Sequence, residues 1–141
     1  MLWELLIAFQ LKHFLCDYPL QFGIMLNKFK KTGWVKGLSI HAGIHALATA
    51  IILGQFTRMN FFIVLGLAAL DFVAHFGMDR VKASPAMLGR FKAISDAATF
   101  AKAGKVDRRS NTLFWWSLGL DQMVHHLTHY AIIAIALVAN G

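Results

Sequence analysis

Four long hydrophobic segments, separated by shorter polar stretches, set the pattern of this chain. They cover residues 2–25, 35–53, 59–79 and 112–139. A helix needs roughly 20 apolar residues to cross a bilayer, and each segment is close to that length or longer. Pro19 predicts a kink in the first segment, because proline has no N–H for the helical hydrogen-bond pattern. The pattern predicts one domain of the all-α class, a polytopic membrane protein built as a four-transmembrane-helix bundle.

The loop at residues 80–111 contains a further predicted element. Ser84 followed by Pro85 is typical of a helix N-cap and the first helical position after it. Apolar residues then recur at helical spacing, at Met87, Phe91, Ile94 and Ala98. We expect an amphipathic helix over about residues 85–103 that lies on the cytoplasmic face of the membrane. The same apolar stripe would also suit a helix packed on the base of the bundle.

Basic residues gather in two of the three loops. Of the fourteen Lys and Arg, twelve lie between the first and second segments or between the third and fourth, whereas the turn at residues 55–60 contains only Arg58. Because basic loops stay in the cytoplasm, we expect both there, with both termini on the other side of the membrane. The net charge of +7 therefore indicates orientation and contact with lipid headgroups, and we expect no nucleic-acid partner.

Composition supports a membrane location and leaves the assembly state open. The chain is 57% hydrophobic and only 15% charged, which is too apolar for a soluble domain of 141 residues. The single Cys16 excludes a disulfide within the chain. Small residues that allow close helix contact, and so association into a homo-oligomer, are Gly66, Ala68, Ala69 and Gly77.

Histidines and aspartates recur four residues apart in all four hydrophobic segments. In order along the chain they are His13 and Asp17; His41 and His45; Asp71, His75 and Asp79; and Asp121, His125 and His129. Residues four apart lie on one face of a helix, about one turn from each other. Because an unpaired charge is costly in lipid, these ten groups must be compensated inside the bundle, and a bound metal is the first candidate.

The antiparallel order of the segments places these groups at matched depths. The pairs expected at shared levels are Asp79 with Asp121, His75 with His125, Asp71 with His129, Asp17 with His41, and His13 with His45. All of them fall in the half of the membrane nearer the basic loops. We therefore expect one cluster that opens toward the cytoplasm.

A mixture of imidazole and carboxylate ligands favours Zn²⁺, with Mn²⁺ or Fe²⁺ as alternatives, and one or two ions. The predicted metal ligands are His13, Asp17, His41, His45, His75, Asp79, Asp121, His125 and His129. Asp71 or Asp17 is the predicted general base. Groups predicted to contact the substrate are Lys12, Gln21, Lys82 and Gln122. A single His–Asp pair could equally be a hydrogen-bonded contact between helices, and His126, about 100° away from His125 around the helix, fits that role.

The order of these blocks resembles a known family. His13-Phe-Leu-Cys-Asp17, His75-Phe-Gly-Met-Asp79 and Asp121-Gln-Met-Val-His125, with the histidine-bearing second segment, look like the bacterial and phage membrane family called domain of unknown function 3307. The resemblance implies a small integral membrane protein, often carried by phages and prophages, with no established activity. The layout is more loosely similar to a family of membrane-bound metal-dependent hydrolases.

Four functions are compatible with these patterns, and the sequence leaves open whether the protein is an enzyme. The favoured one is a metal-dependent hydrolase that acts on a lipid or a lipid-linked phosphate at the inner leaflet. A transporter or channel for metal ions or protons is the alternative, disfavoured because residues 131–138 are almost wholly apolar. A di-iron oxidase and a non-enzymatic phage or host membrane interaction protein with a structural polar core are further alternatives.

Overall fold

The computed structural model describes residues 1–30, 32–84, 87 and 112–140. This part of the chain contains no strand, and the predicted all-helical class is confirmed. Four α-helices and one 3₁₀ helix follow in the order α1 (Leu2–Asp17), the 3₁₀ helix (Gly23–Phe29), α2 (Trp34–Phe56), α3 (Phe61–Ala83) and α4 (Thr112–Ala139). The amphipathic helix expected over residues 85–103 lies outside the described residues.

Three of the helices are long and apolar enough to cross a membrane: α2, α3 and the part of α4 from Trp115 to Ala139. Helix α1 has 16 residues, which at 1.5 Å per residue is roughly 24 Å, less than the thickness of a bilayer core. Large apolar side chains point outward from the bundle, including Trp3 at 73% exposure and Val138 at 83%. Such an apolar exterior is what a membrane-embedded bundle presents to lipid.

The first hydrophobic segment differs from its prediction, since the single helix expected over residues 2–25 is divided into two. Helix α1 ends at Asp17, and its C-cap residue Tyr18 still donates its backbone N–H to the carbonyl of Phe14. Pro19 explains this ending, because a proline cannot donate the backbone hydrogen bond that would continue the helix. The chain then turns and resumes as the 3₁₀ helix at Gly23.

The 3₁₀ helix returns to the bundle and packs against the start of α2. Met25 and Lys28 are buried on its inner side. The backbone approaches α2 so closely that a Cβ atom at Gly37 would overlap the carbonyl oxygen of Ile24. Helix α2 begins after Gly33, whose φ of 70° is a conformation that favours glycine. This return brings a part of the predicted loop into the interior.

The two ends of the described chain meet at one end of the bundle, here called the terminal end. Asn140 accepts a hydrogen bond from the backbone N–H of Arg58 at 2.6 Å, and its amide lies 3.3 Å from the sulfur of Met1. The turn between α2 and α3 is closed by Asn60, which accepts from the N–H of Phe62 at 2.8 Å. The termini and this turn therefore share one side, as the up-and-down order of the segments predicts. The opposite side, with the 3₁₀ helix, is here called the loop end.

The interior has two parts. Near the terminal end it is apolar, and the packed residues are Leu5, Phe9, Leu53, Leu67, Ile132, Ile133 and Ala136. Toward the loop end the same four helices bury histidines, aspartates and lysines instead. The apolar part holds the helices together, and the polar part is the candidate site.

Candidate functional site

All ten histidines and aspartates spaced four apart converge in one buried cluster, here called the His–Asp cluster. Its members are His13, Asp17, His41, His45, Asp71, His75, Asp79, Asp121, His125 and His129. Each helix contributes one face, because residues four apart stack along the same side of a helix. Asp17 is the most open carboxylate, with 14% of its side chain exposed, whereas the other three are 0–3% exposed.

The depth matching predicted from the sequence is reproduced by the geometry. The rings of His75 and His125 stack with their centroids 4.1 Å apart. His129 Nε2 lies 3.3 Å from Asp71 Oδ1. The remaining expected neighbours are close as well. Asp17 Oδ1 lies 3.3 Å from His41 Nε2, and the ring centroids of His13 and His45 are 6.0 Å apart. Asp79 and Asp121 lie on either side of His125.

His75 lies at the centre of the cluster. Its ring stacks on His45 at 3.7 Å on one side and on His125 at 4.1 Å on the other. Its Nδ1 lies 3.0 Å from the backbone carbonyl of Asp71. A carbonyl only accepts hydrogen bonds, so Nδ1 is the donor, and in the neutral ring Nε2 holds the lone pair. That Nε2 atom is buried and has no hydrogen-bond partner among the described residues, which is the orientation of a metal ligand.

Three of the four carboxylates each bind a different lysine, in every case through the oxygen Oδ2. Lys12 reaches Asp71 Oδ2 at 2.5 Å, and the other two contacts are Lys28 to Asp79 Oδ2 at 2.7 Å and Lys82 to Asp121 Oδ2 at 2.6 Å. Asp71 Oδ2 also accepts from the hydroxyl of Thr49 at 2.8 Å. Each lysine therefore holds its carboxylate by one oxygen and leaves the other oxygen to face the histidines.

The oxygens that face the histidines are poorly satisfied. Asp71 Oδ1 and Asp121 Oδ1 are buried, and neither has a partner in hydrogen-bonding geometry within the described part of the chain. His129 Nε2 and His75 Nδ1 each lie 3.3 Å from Asp71 Oδ1, and His125 Nε2 lies 3.4 Å from Asp121 Oδ1. A buried polar atom without a partner is costly, so a species that binds these oxygens and nitrogens would stabilise the cluster.

The donor atoms fit divalent cations. Within the described residues, four sets of three ligand atoms lie within 4.8 Å of one another: His13–Asp17–His45, His13–His75–His129, His45–Asp71–His75 and Asp79–Asp121–His125. Any two of the first three sets have one residue in common, whereas the fourth set shares no residue with them. Two ions could therefore be held at once, one in the histidine-rich sets and one in the carboxylate-rich set.

The predicted site residues divide into ligands and supporting groups. His41 belongs to none of the four sets and contacts Asp17 and Asp79 at 3.3 and 3.0 Å. Asp71, predicted as a general base, belongs to one of the sets. Lys12 is buried between Asp71 and His129, so its ammonium is a counter-ion inside the cluster.

The two predicted glutamines differ in their positions. Gln122 accepts from His13 Nε2 at 3.0 Å and donates to Asp121 Oδ2 at 3.0 Å, which joins α1 to the cluster. Gln21 lies in the turn after α1, and no hydrogen bond links its side chain to another described residue. Gln122 therefore belongs to the site, and Gln21 is not brought into it.

Two members of the site were missed by sequence reasoning. Thr49 continues the spacing of His41 and His45 by one more turn, so the signal was present in the pattern. Lys28 was counted among the loop lysines, and nothing in its spacing indicated that the 3₁₀ helix would turn inward. His126 belongs to none of the four ligand sets and is a helix-contact residue, as expected: its Nδ1 lies 3.3 Å from the Gln10 amide, and its ring lies 5.2 Å from the His13 ring at the edge of the cluster.

Comparison with known proteins identifies a family without an assigned activity. Residues 5–140 match the family described as "Protein of unknown function (DUF3307)", and the chain belongs to that family. Neither the curated proteins nor the solved structures contain a match.

Proposed function

We propose that this member of the DUF3307 family is an intramembrane metal-binding protein, a metal-dependent hydrolase of the bacterial inner membrane that acts on a lipid or lipid-linked phosphate at the inner leaflet. One observation carries the proposal. Carboxylate oxygens and imidazole nitrogens from α2, α3 and α4 face one another inside a buried cluster without a partner in hydrogen-bonding geometry among the described residues, with Asp71, His75 and Asp121 as the clearest examples. A purely structural polar core would pair these atoms with one another.

The membrane arrangement in the proposal has four segments. Helices α2, α3 and α4 cross the bilayer, and α1 with the 3₁₀ helix forms the fourth segment. The basic loops are cytoplasmic, and the terminal end faces the other side. This arrangement places the loop end, with Lys82 at 29% exposure, at the level of the inner-leaflet headgroups. A polar head could reach the cluster there while its acyl chains stay in lipid.

Zn²⁺ is the favoured ion, with Mn²⁺ and Fe²⁺ as alternatives, because imidazole and carboxylate ligands are mixed. When bound, such ions would polarise a phosphate oxygen and activate a water molecule. Asp17 is the better placed general base, because it is partly exposed, whereas Asp71 is fully buried with one oxygen held by Lys12 and Thr49. A base must exchange its proton with water, which Asp17 can do.

Elemental analysis of the detergent-purified protein tests the proposal. We expect one or two equivalents of Zn, Mn or Fe per chain, and loss of the metal in a His75→Ala, Asp121→Ala double variant. His126→Ala is the matched control, because His126 is a helix-contact histidine on the same helix that belongs to none of the four ligand sets. Phosphatase activity on lipid phosphates that disappears on chelation and returns with metal would support the hydrolase. Full activity in metal-free protein would contradict it.

Metal-ion or proton transport is the second candidate. The observation in its favour is a line of buried ionisable groups from Lys82 to Lys12. Beyond Lys12 the interior is apolar, with Leu5, Phe9 and Ile132 fully buried, and a path would need polar groups there. Uptake of Zn²⁺ or Mn²⁺ into liposomes that contain the protein would favour transport, whereas metal binding without uptake favours the hydrolase.

A further inference from the structure

Two lysines flank the carboxylate-rich set of the cluster at the loop end. Lys28 binds Asp79 and Lys82 binds Asp121, each through Oδ2, on the two carboxylates that share His125. We infer that this end of the cluster binds a phosphate group with two negative charges, such as a phosphomonoester or inorganic phosphate, with Lys28 and Lys82 as its counter-ions. The inference rests on the proposed function and names the substrate class of the same site.

Lys28 and Lys82 have N–H donors that no described residue accepts from. An ammonium group carries three N–H donors. Among the described residues, Lys28 and Lys82 each donate a single hydrogen bond, to Asp79 and Asp121. The Lys28 side chain is only 4% exposed, so water does not fully satisfy its other donors. Lys12 differs, because it contacts both Asp71 and His129 and lies at the apolar side of the cluster.

The charge of the cluster indicates the charge of its ligand. The four aspartates outnumber the three lysines by one, so with neutral imidazoles the net charge of these side chains is −1. Two divalent cations would make it triply positive. A buried cluster beside lipid must remain near neutrality, because isolated charge is expensive there. A phosphate dianion compensates two of these positive charges, whereas a phosphodiester monoanion compensates only one. A further cation near this end, Arg80, is stacked on the Trp34 ring at 3.7 Å, and its buried Nη1 has no hydrogen-bond partner among the described residues.

The positions of Lys28 and Lys82 in the bundle also favour them as the counter-ions. Lys82 is 29% exposed at the end of α3, and Lys28 is carried by the 3₁₀ helix at the same end of the bundle. A phosphate that arrives from the loop end would therefore meet these two ammonium groups and the Asp79–Asp121–His125 set together. The lysines would donate hydrogen bonds to the phosphate, and an ion held by the Asp79–Asp121–His125 set would supply further positive charge beside it.

Phosphorus NMR on the purified protein in detergent tests this inference. The protein is loaded with Mn²⁺, and inorganic phosphate is the probe, because bound Mn²⁺ accelerates the relaxation of a phosphorus nucleus beside it. We expect saturable binding of phosphate to the unaltered protein. We expect dimethyl phosphate, a monoanion, to bind about tenfold more weakly or worse, which corresponds to about 1.4 kcal/mol.

Lysine variants then assign the counter-ions. Lys28→Gln and Lys82→Gln should each weaken phosphate binding about tenfold or more while the Mn²⁺ content per chain is kept. Lys82→Arg, which preserves the charge, should restore most of the binding. Lys36→Gln is the matched control, because Lys36 is an exposed lysine on α2 outside the cluster, and it should bind phosphate normally.

The outcomes separate this inference from the proposed function. If both lysine variants keep their normal Mn²⁺ content and bind phosphate as well as the unaltered protein does, the inference is overturned and the proposed function is not. Equal affinity for phosphate and dimethyl phosphate in the unaltered protein would do the same, and that comparison needs no variant to fold. A protein that binds no Mn²⁺, Zn²⁺ or Fe²⁺ would overturn both.

Discussion

At the scale of single residues, the lysines of this cluster are as informative as the histidines. Lys12 and Asp71 are 2% and 0% exposed and lie 2.5 Å apart. The cost of removing two charges from water is recovered only when both partners are present. The pair therefore connects the stability of the bundle to its chemistry, because one oxygen of Asp71 serves the lysine and the other faces His75 and His129.

Removing only one partner of the Lys12–Asp71 pair should lower the free energy of unfolding more than removing both partners. Lys12→Met should lower the free energy of unfolding by about 3–5 kcal/mol, because Asp71 would keep a buried charge without its ammonium. Adding Asp71→Leu should restore part of the loss. Unfolding in mixed detergent micelles, followed by circular dichroism, measures both, with Lys36→Met as the exposed control. Strictly additive losses would contradict the coupling.

At the scale of elements, the 3₁₀ helix is the piece that completes the site. It delivers Lys28 to Asp79, and its own position depends on the close approach of Ile24 to Gly37. Pro19 ends α1 early enough for the chain to turn back. Helix α2 therefore supports the site in two ways, through its histidines and through the glycine on which the 3₁₀ helix rests.

Gly37→Ala should displace the 3₁₀ helix, because the added Cβ meets a backbone carbonyl that has no flexible side chain to move. We expect a loss of about 1–3 kcal/mol in unfolding free energy and weaker metal binding at the Asp79 set. Gly43→Ala is the matched control on the same helix, since a Cβ there meets nothing within 4 Å. That change should be neutral or slightly stabilising, because alanine favours helix over glycine by about 1 kcal/mol. Similar losses in both variants would contradict this account.

The sequence predicted the histidine and aspartate part of the site but not its lysines. Spacing of four residues and antiparallel order were enough to place His75 beside His125 and Asp71 beside His129, because a helix leaves little freedom in where such side chains point. Lys28 depends on a turn and a backbone contact between segments, and local spacing does not encode such contacts. The sequence indicated the early end of α1 only in part, since Pro19 predicted a kink and not a second helix.

At the scale of the whole molecule, the bundle has two unlike ends. The terminal end contains Met1, Asn140 and the turn between α2 and α3, and the loop end contains the 3₁₀ helix and the open side of the cluster. The proposed orientation in the membrane predicts which end each aqueous compartment reaches.

Single cysteines test this orientation in a Cys16→Ser background. Gln55→Cys, at the terminal end, should react with a membrane-impermeant thiol reagent added outside intact spheroplasts. Lys30→Cys, at the loop end, should react only in inverted membrane vesicles; both side chains are exposed. Labelling of both positions from one side would contradict a bundle whose two ends face different compartments.

In the proposed membrane arrangement, the lysine–aspartate pairs also bear on how the chain assembles during synthesis. Their partners are 59, 51 and 39 residues apart, so none can form within one helix. When α3 is made, Lys12 and Lys28 already exist and can receive Asp71 and Asp79, whereas Lys82 must wait for Asp121 in α4. Assembly is therefore expected to proceed in the order of translation. A chain stalled before α4 would hold an unmatched ammonium that quality-control proteases could detect.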